Sequence, residues 1–439
     1  MNKIRLKYYK YPAYVLLFLM AVFPMVKELL YIKFSIFIFL LVFAFGSILK
    51  TNKLILNKQI KEWTLIITVA FLLFFFIGFF NNTPGAFKLM RLYIFWPWIY
   101  ILIFTVITDK EFIVGIQRTL IFSTLALSIL GISQVMVQFH ILPTMFTFNL
   151  FENESSTALG LHDGFIELRL PGTNSLAFLM PFTLTVLLTQ LPDKSNFQMS
   201  RIWIWITTFL GIIFSIISGR KAVWMVIILT PIFLFLTNYL LRNKKRNYQK
   251  KKYFITFLLL IILAPSTIIL LNNFYDFDIT KMKDMFINGF TSDDYRKIQF
   301  IDLWKGFSDS PIWGKGLGAT VDINGYRHGE EAGGGSWNYE LYYMALLMQI
   351  GILGFMIISS SIVWMYKKCF DIMKSNCFES QLMMPFLIGM TCMFIAGATN
   401  PLFARFDGLW FFFIPLLIIN RWKIKQNISV SFNNNDKIN

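Results

Sequence analysis

The stretch from Asp293 to Phe355 begins Asp-Asp-Tyr-Arg-Lys297, contains Pro311-Ile-Trp-Gly-Lys-Gly-Leu-Gly318 and ends Gln349-Ile-Gly-Ile-Leu-Gly-Phe355. It carries most of the side chains that could do chemistry, namely Arg296, His328, Glu330, Glu331 and Glu340. Gly314, Gly316 and Gly318 alternate in a way that permits close backbone approach, but they lack the spacing of a phosphate-binding loop. The sequence predicts that the rest of the chain is a scaffold around this stretch.

The chain as a whole is strongly apolar. Hydrophobic residues make up 56% of the 439, and the mean hydropathy is +0.59. The apolar residues come in runs of about 17–25, which is the length that crosses a bilayer. We therefore predict an all-α polytopic membrane protein with about 12 transmembrane helices. Their predicted bounds are roughly 12–31, 34–49, 63–80, 92–108, 119–138, 173–190, 202–218, 222–241, 253–272, 340–365, 380–399 and 407–420.

The basic residues indicate the orientation in the membrane. Of the 41 Lys and Arg, 26 fall on the side of the N-terminus under this topology. Because short cytoplasmic loops are enriched in Lys and Arg, both termini are predicted to be cytoplasmic. The basic run 242–252 lies on the same side, so the formal charge of +17 indicates a topology anchor on anionic lipid and no nucleic-acid surface.

Three regions follow from this topology. Residues 1–272 hold the first nine helices, with an outer loop at 139–172. Residues 273–339 form a large extracytoplasmic loop, in which residues 295–304 have the pattern of a short helix lying on the membrane or on the protein. Residues 340–439 hold the last three helices and a cytoplasmic tail, and Gly351 and Gly354 are predicted to let the tenth helix pack closely on a neighbour.

We predict no metal site and no cofactor. His140 and His162 lack metal-ligand spacing with other donors, and the three cysteines give no disulfide framework.

Cations on the predicted outer side are candidates for binding an anionic substrate. Arg220 and Lys221 lie in the short hairpin between the seventh and eighth helices, Arg169 precedes Pro171 and Gly172 at the start of the sixth, and Arg296 lies near the start of the short helix. A guanidinium can hold phosphate oxygens in bidentate fashion. The alternative is that these residues only anchor the helices at lipid headgroups.

Four features together resemble the O-antigen polymerase and O-antigen ligase superfamily of bacterial envelope glycosyltransferases. They are the Arg hairpin Ser218-Gly-Arg220, the long outer loop with Arg296 ahead of Trp304, the stretch Pro311-Ile-Trp-Gly-Lys-Gly-Leu-Gly318, and Gln349-Ile-Gly-Ile-Leu-Gly354. The resemblance covers about residues 165–355. It implies a GT-C-like, metal-independent membrane enzyme of the bacterial cytoplasmic (inner) membrane with its active site on the outer face.

The resemblance also implies the substrates and the residues that bind them. Such enzymes take a glycan from undecaprenyl pyrophosphate, and by position Arg220 and Arg296 resemble the family arginines that hold the pyrophosphate, with Arg169 joining them. Lys221, next to Arg220 in the hairpin, is the further candidate given by the residues themselves. Membrane lipids and a protein that regulates chain length are the further partners implied.

One departure from the family separates the alternatives. Ligases typically carry a His eleven positions before the first Gly of a Gly-x-x-Gly, and here that position is Glu340. We therefore predict a polymerase of O-antigen or capsule repeat units, with Glu340 as the general base and His328, Glu330 and Glu331 as other candidates. The alternatives are an O-antigen ligase that transfers glycan to a lipid A core and, in another class, a flippase for lipid-linked oligosaccharides.

Overall fold

The computed structural model describes residues 3–24, 26–51, 56–105, 109–138, 142–143, 159–162, 165–168, 170–189, 199–241, 294–321, 339–375 and 377–435. The α-helices in these residues are α1 (Lys3–Val22), α2 (Leu30–Thr51), α3 (Lys58–Phe80), α4 (Ala86–Met90), α5 (Trp96–Thr105), α6 (Lys110–Gln138), α7 (Leu176–Thr189), α8 (Arg201–Ile217), α9 (Lys221–Leu240), α10 (Asp294–Ser308), α11 (Tyr342–Lys374), α12 (Phe378–Ala396) and α13 (Trp410–Asn435).

Short irregular elements complete the described fold. A π-helical turn, Arg91–Phe95, joins α4 to α5, and 3-10 turns at Pro171–Ser175 and Phe406–Gly408 precede α7 and α13. Strands β1 (Leu159–His162) and β2 (Phe165–Leu168) pair in antiparallel fashion, with Leu159 opposite Leu168. This hairpin lies in the predicted outer loop.

The helices confirm the predicted fold class of an all-α polytopic membrane protein. Eight helical stretches among the described residues are long and apolar enough to cross a membrane, and α8 and residues 9–22 of α1 form shorter apolar helices. Each predicted span except that at 253–272, which lies outside the described residues, overlaps a helix, although the span at 12–31 runs past the end of α1 at Val22. The total of 12 spans and the division into three regions stay predictions.

Helix α7 forms the centre of the bundle. Its residues from Leu176 to Leu188 are all buried, and it packs against α6, α8, α9 and α12. Large apolar side chains on the outside of the bundle, among them Val42, Val69 and Phe235, are about half exposed or more. Such a surface suits contact with lipid tails, in which apolar side chains bear no hydration penalty.

The glycine segment, residues 309–319, is inserted between α3 and α11 and is held there by backbone hydrogen bonds. The Lys315 and Gly316 N–H groups donate to Met348 O and Gln349 O, both at 2.9 Å. In the opposite direction, α11 donates to the segment: the N–H groups of Ile352 and Leu353 donate to Pro311 O and Ile312 O at 2.9 and 3.2 Å. On the α3 side, Leu317 N–H donates to Phe74 O at 2.9 Å.

A break in α11 at Gly351 makes these bonds available. Gly351 has φ +62° and ψ −174°, so the sequence's prediction of a continuous helix over 340–365 is wrong at this residue. Helical carbonyls before the break and N–H groups after it lose their intrahelical partners, and the glycine segment pairs with them. Gly351 therefore packs against the backbone of the glycine segment, at Ile312 and Gly314, and not against a helix. Gly354 does pack against a neighbouring helix, at the Phe74 ring of α3.

The glycines of the segment are required by both conformation and space. Gly314, Gly316 and Gly318 have φ of +72°, +94° and +76°, in the region that side chains disfavour. A Cβ on Gly316 would lie 2.2 Å from the Gly78 nitrogen of α3, which is backbone and cannot move aside. The predicted close backbone approach is therefore confirmed, and its partners are α3 and α11.

We expect Gly316→Ala to destabilise the fold strongly. The positive φ alone costs on the order of 1–3 kcal/mol, and the contact with Gly78 adds to this cost. The measurement is thermal unfolding of the detergent-purified protein, with Gly46→Ala as the control, because a Cβ on Gly46 of α2 meets nothing within 4 Å. An unchanged unfolding temperature for Gly316→Ala would contradict the insertion of this segment.

Candidate functional site

An ion pair joins α10 to the beginning of α11. Arg296 Nε donates to Glu340 Oε2 at 2.8 Å, and both side chains are more than a third exposed. Arg296 lies in the first turn of α10, and Glu340 lies two residues before α11. The two residues that the sequence selects as phosphate ligand and general base are therefore in direct contact, although 43 residues separate them in the chain.

Neighbouring hydrogen bonds hold the backbone around Glu340. Gln299, one turn after Arg296 on the same face of α10, is fully buried, and its Oε1 accepts from Leu341 N–H at 2.8 Å. The Tyr339 hydroxyl accepts from Val321 N–H at 2.9 Å, and the Tyr342 and Tyr93 hydroxyls share a hydrogen bond of 2.6 Å. The carboxylate of Glu340 thus projects from a fixed segment.

Helix α10 lies on α11 by one face and exposes an apolar face on the other. Leu303 and Phe307 are buried in a small cluster with Ala345 and Met348 of α11. Ile298, Phe300, Ile301 and Trp304 are 39 to 55% exposed. The predicted short helix is therefore present, and its exposed apolar face suits the membrane surface, which would place the ion pair at the boundary between lipid and water.

A second ion pair closes the end of α10. Lys315 Nζ donates to Asp309 Oδ2 at 2.7 Å, across the turn that leads into the glycine segment. This hydrogen bond and the charge of Lys315 hold the pKa of Asp309 below its usual range. The contact links α10 to the segment that is inserted beside α11.

Arg220 and Lys221 lie at a different hairpin. Arg220 is the residue before α9 and is half-buried, and Lys221 is exposed. Trp224 of α9 bonds back to α8, since its Nε1 donates to Ser215 O at 2.6 Å. Gly219 makes the tight turn between the two helices with φ +67°. Helices α8 and α9 pack on α7, and α9 also packs on α12, while α10 packs on α11.

Four predicted site residues cannot be placed. Arg169, His328, Glu330 and Glu331 lie outside the described residues. The described residues contain no group of three or more metal-ligating side chains. Metal independence stays a prediction.

Sequence reasoning missed the residues that support Glu340. Gln299 could have been found from its spacing, because it follows Arg296 by three residues and so lies on the same helix face. Tyr93 carried no such signal, since it lies in the π-helical turn and only the tertiary fold brings its hydroxyl to Tyr342.

Comparison with known proteins agrees with the resemblance drawn from the sequence. Residues 206–359 match the family model Wzy_C, described as O-Antigen ligase. The match spans about a third of the chain and includes Arg220, Arg296, the glycine segment and Glu340. The resemblance to the O-antigen polymerase and ligase superfamily is thereby confirmed, and the match indicates an enzyme of membrane glycosyltransferase type. No curated protein matches the chain.

We expect Glu340→Gln and Arg296→Gln each to change the free energy of unfolding by less than about 1 kcal/mol, because exposed ion pairs contribute little. The matched control pair is Lys58 and Glu62, a more exposed i,i+4 pair on α3. By contrast, Gln299→Leu should unfold at a lower denaturant concentration, because it leaves the Leu341 N–H without its acceptor. Chemical denaturation in detergent measures all of these variants, and a Glu340→Gln protein that does not fold would contradict this assignment.

Proposed function

We propose that the protein is a polymerase of O-antigen or capsular polysaccharide, which transfers a glycan from undecaprenyl pyrophosphate to the next lipid-linked repeat unit. The contact between Arg296 and Glu340 carries the proposal, because it joins a cation suited to a phosphate with a carboxylate suited to a proton. Both residues lie within the part of the chain that matches the family model.

The reaction assigns a role to each side chain of the pair. The acceptor hydroxyl gives its proton to Glu340, its oxygen bonds to the anomeric carbon of the donor glycan, and the bond from that carbon to the pyrophosphate breaks. The bonding electrons leave with undecaprenyl pyrophosphate, and Arg296 stabilises the charge that develops on it. A guanidinium has five N–H donors, so Arg296 can hold a phosphate oxygen while Nε keeps Glu340 beside the reacting carbon.

Arg220 is proposed as the second ligand of the pyrophosphate, and Arg169 and Lys221 are proposed as further ligands. The matched family supports Arg220, which lies within residues 206–359. The hairpin of α8 and α9 and the beginning of α11 would then approach the pyrophosphate from different sides. His328 is retained as the second candidate for the base.

An apolar groove supports a lipid-linked substrate. The groove has a volume of about 210 Å3 and lies among α3, α5, α11 and α13. It begins at Tyr342 and Tyr343, next to Glu340, and extends along the helices to Ile60 in the first turn of α3. Such a groove offers an apolar site to part of a polyprenyl chain while its pyrophosphate remains at the end next to Glu340.

The second candidate function is the O-antigen ligase, which transfers the finished glycan to a lipid A core. The description of the matched family favours it, whereas Glu340 at the position of the ligase histidine favours the polymerase. For either enzyme we propose the bacterial inner membrane, cytoplasmic termini, contact with membrane lipids and association with a regulator of chain length.

The test is the length of surface polysaccharide in cells that lack the native protein. Complementation with wild type should restore a ladder of repeats on a gel. Arg296→Gln, Arg220→Gln and Glu340→Gln should give a single repeat, with a loss of at least about a hundredfold for the base variant. Arg201→Gln, an exposed arginine at the first residue of α8, is the matched control and should restore the ladder.

Other results would contradict the polymerase. Long glycan stranded on the carrier in the variants would indicate a ligase, and a full ladder in all variants would show that the arginines only anchor helices. Reconstituted protein that moves labelled carrier lipid across a bilayer without changing glycan length would indicate a flippase.

A further inference from the structure

A second group of cations lines a cavity whose lining includes neither Arg220 nor Arg296. A cavity of about 690 Å3 is formed by the outer end of α2, by α4 with the π-helical turn, and by the turn before α13. Its volume is in the range of cavities that hold small molecules. The charged residues that line it are Lys27, Lys33, Lys88, Arg91, Arg405 and Asp407.

Cations outnumber carboxylates among the side chains that line this cavity. Lys33 is fully buried and donates to Asp407 Oδ2 at 3.1 Å and to Phe23 O at 2.6 Å, so it offsets the one carboxylate of the lining. The lining therefore holds five cations and one carboxylate. Converging cations in a partly enclosed site attract an anion more strongly than the same cations on an open surface.

The position of these cations in the topology is unusual. Fifteen of the 41 Lys and Arg fall outside the predicted cytoplasmic side, and seven of these are in the long outer loop. Five of the remaining eight line this one cavity. Basic residues are disfavoured in short outer loops, so their collection at one place indicates a function.

The backbone at the cavity wall is also unusual. In the turn Arg91–Phe95 the helix widens, and Trp96 N–H donates to Arg91 O five residues earlier. Such π-helical turns are rare and occur frequently at functional sites. This one carries Arg91 and Phe95 in the cavity wall, and Trp96 stacks on Phe406 with ring centroids 4.3 Å apart.

The cavity adjoins the candidate active site. Ala404 lines both the cavity and a small gap next to it, and that gap is also lined by Tyr339 and Tyr342. These two tyrosines flank Glu340 in the chain. An anion held by Arg405 would therefore lie beside the segment that carries the proposed base.

We propose that this cavity binds the phosphate group of the second membrane-anchored substrate, the glycolipid that accepts the transferred glycan. The proposal rests on the polymerase or ligase activity proposed above, in which two phosphate-bearing lipids meet. Arg220 and Arg296 would hold the donor pyrophosphate, whose bond breaks, while the cavity holds a phosphate that stays intact. Its cations position the acceptor hydroxyl toward Glu340 and take no part in bond cleavage. The whole lining lies outside residues 206–359, so the family match does not assign it.

The first test counts bound isoprenoid diphosphates by native mass spectrometry, with farnesyl diphosphate as the probe. The purified full-length chain should bind two molecules. The double variant Arg91→Gln/Arg405→Gln should bind one, and so should Arg220→Gln/Arg296→Gln. Arg91→Lys/Arg405→Lys, which keeps the charge, and the control Arg201→Gln should bind two. Two bound molecules in the first double variant, or equal competition by phosphatidylglycerol, would overturn the site.

The second test separates acceptor binding from chemistry in reconstituted protein. Arg91→Gln/Arg405→Gln should raise KM for the acceptor by about tenfold or more, the effect of losing charged hydrogen bonds, with kcat little changed. Glu340→Gln should lower kcat instead. The two acceptors to compare are a diphosphate-linked repeat unit and a lipid A core, and the one whose KM rises is the source of the phosphate. An unchanged KM for both acceptors would overturn the acceptor role.

The two proposals can fail separately. If wild type transfers no glycan but the cavity variant loses one diphosphate, the phosphate site stands and the transferase does not. If wild type transfers glycan and the cavity variant has normal binding and KM, the transferase stands and the cavity site is overturned.

Discussion

The break at Gly351 is the feature on which the described site depends. A helix in a bilayer cannot leave backbone N–H and C=O groups without partners, because no water replaces them. Gly351 lies nine residues after Tyr342, or about 13 Å along the helix, so the groups exposed by the break are well inside the helix from its N-terminal end. The glycine segment supplies their partners, and α3 supplies a partner for Leu317. Loop, break and α3 therefore form one hydrogen-bonded unit.

This unit determines where the ion pair lies. The glycine segment follows directly after α10, so fixing the segment against α11 also fixes the end of α10 beside the same helix. Gln299 then reaches Leu341, and Arg296, one turn earlier, reaches Glu340. The geometry of an exposed pair is thereby set by buried backbone contacts, as a preorganised site requires. The ion pair itself contributes little to stability, so its side chains are available for chemistry.

Much of the fold could be predicted from the sequence, because apolar runs of membrane length leave few alternatives to helices. The glycines at 314, 316 and 318 indicated close backbone approach, and the family pattern selected Arg296 and Glu340. The break in α11 could not be predicted, since a glycine in an apolar run fits helix packing equally well. The contact of Arg296 with Glu340 depends on the insertion of a loop between two helices, which no local pattern records. The cavity at Arg405 could not be predicted either, because its lining residues come from three distant parts of the chain.

The residues around the cationic cavity include features that reduce the stability of the fold, which a purely structural region would avoid. Burying Lys33 and Asp407 requires both charges to be desolvated, and such pairs seldom stabilise a fold relative to apolar residues. The π-helical turn adds a second departure from regular geometry. Both features position the walls of one cavity, and both lie on the predicted outer side, where cations have no role in setting topology. A transferase that joins two lipid-anchored glycans has a physical reason for them. It must hold two phosphates of like charge close enough for their glycans to react, and two separate cationic sites meet that requirement.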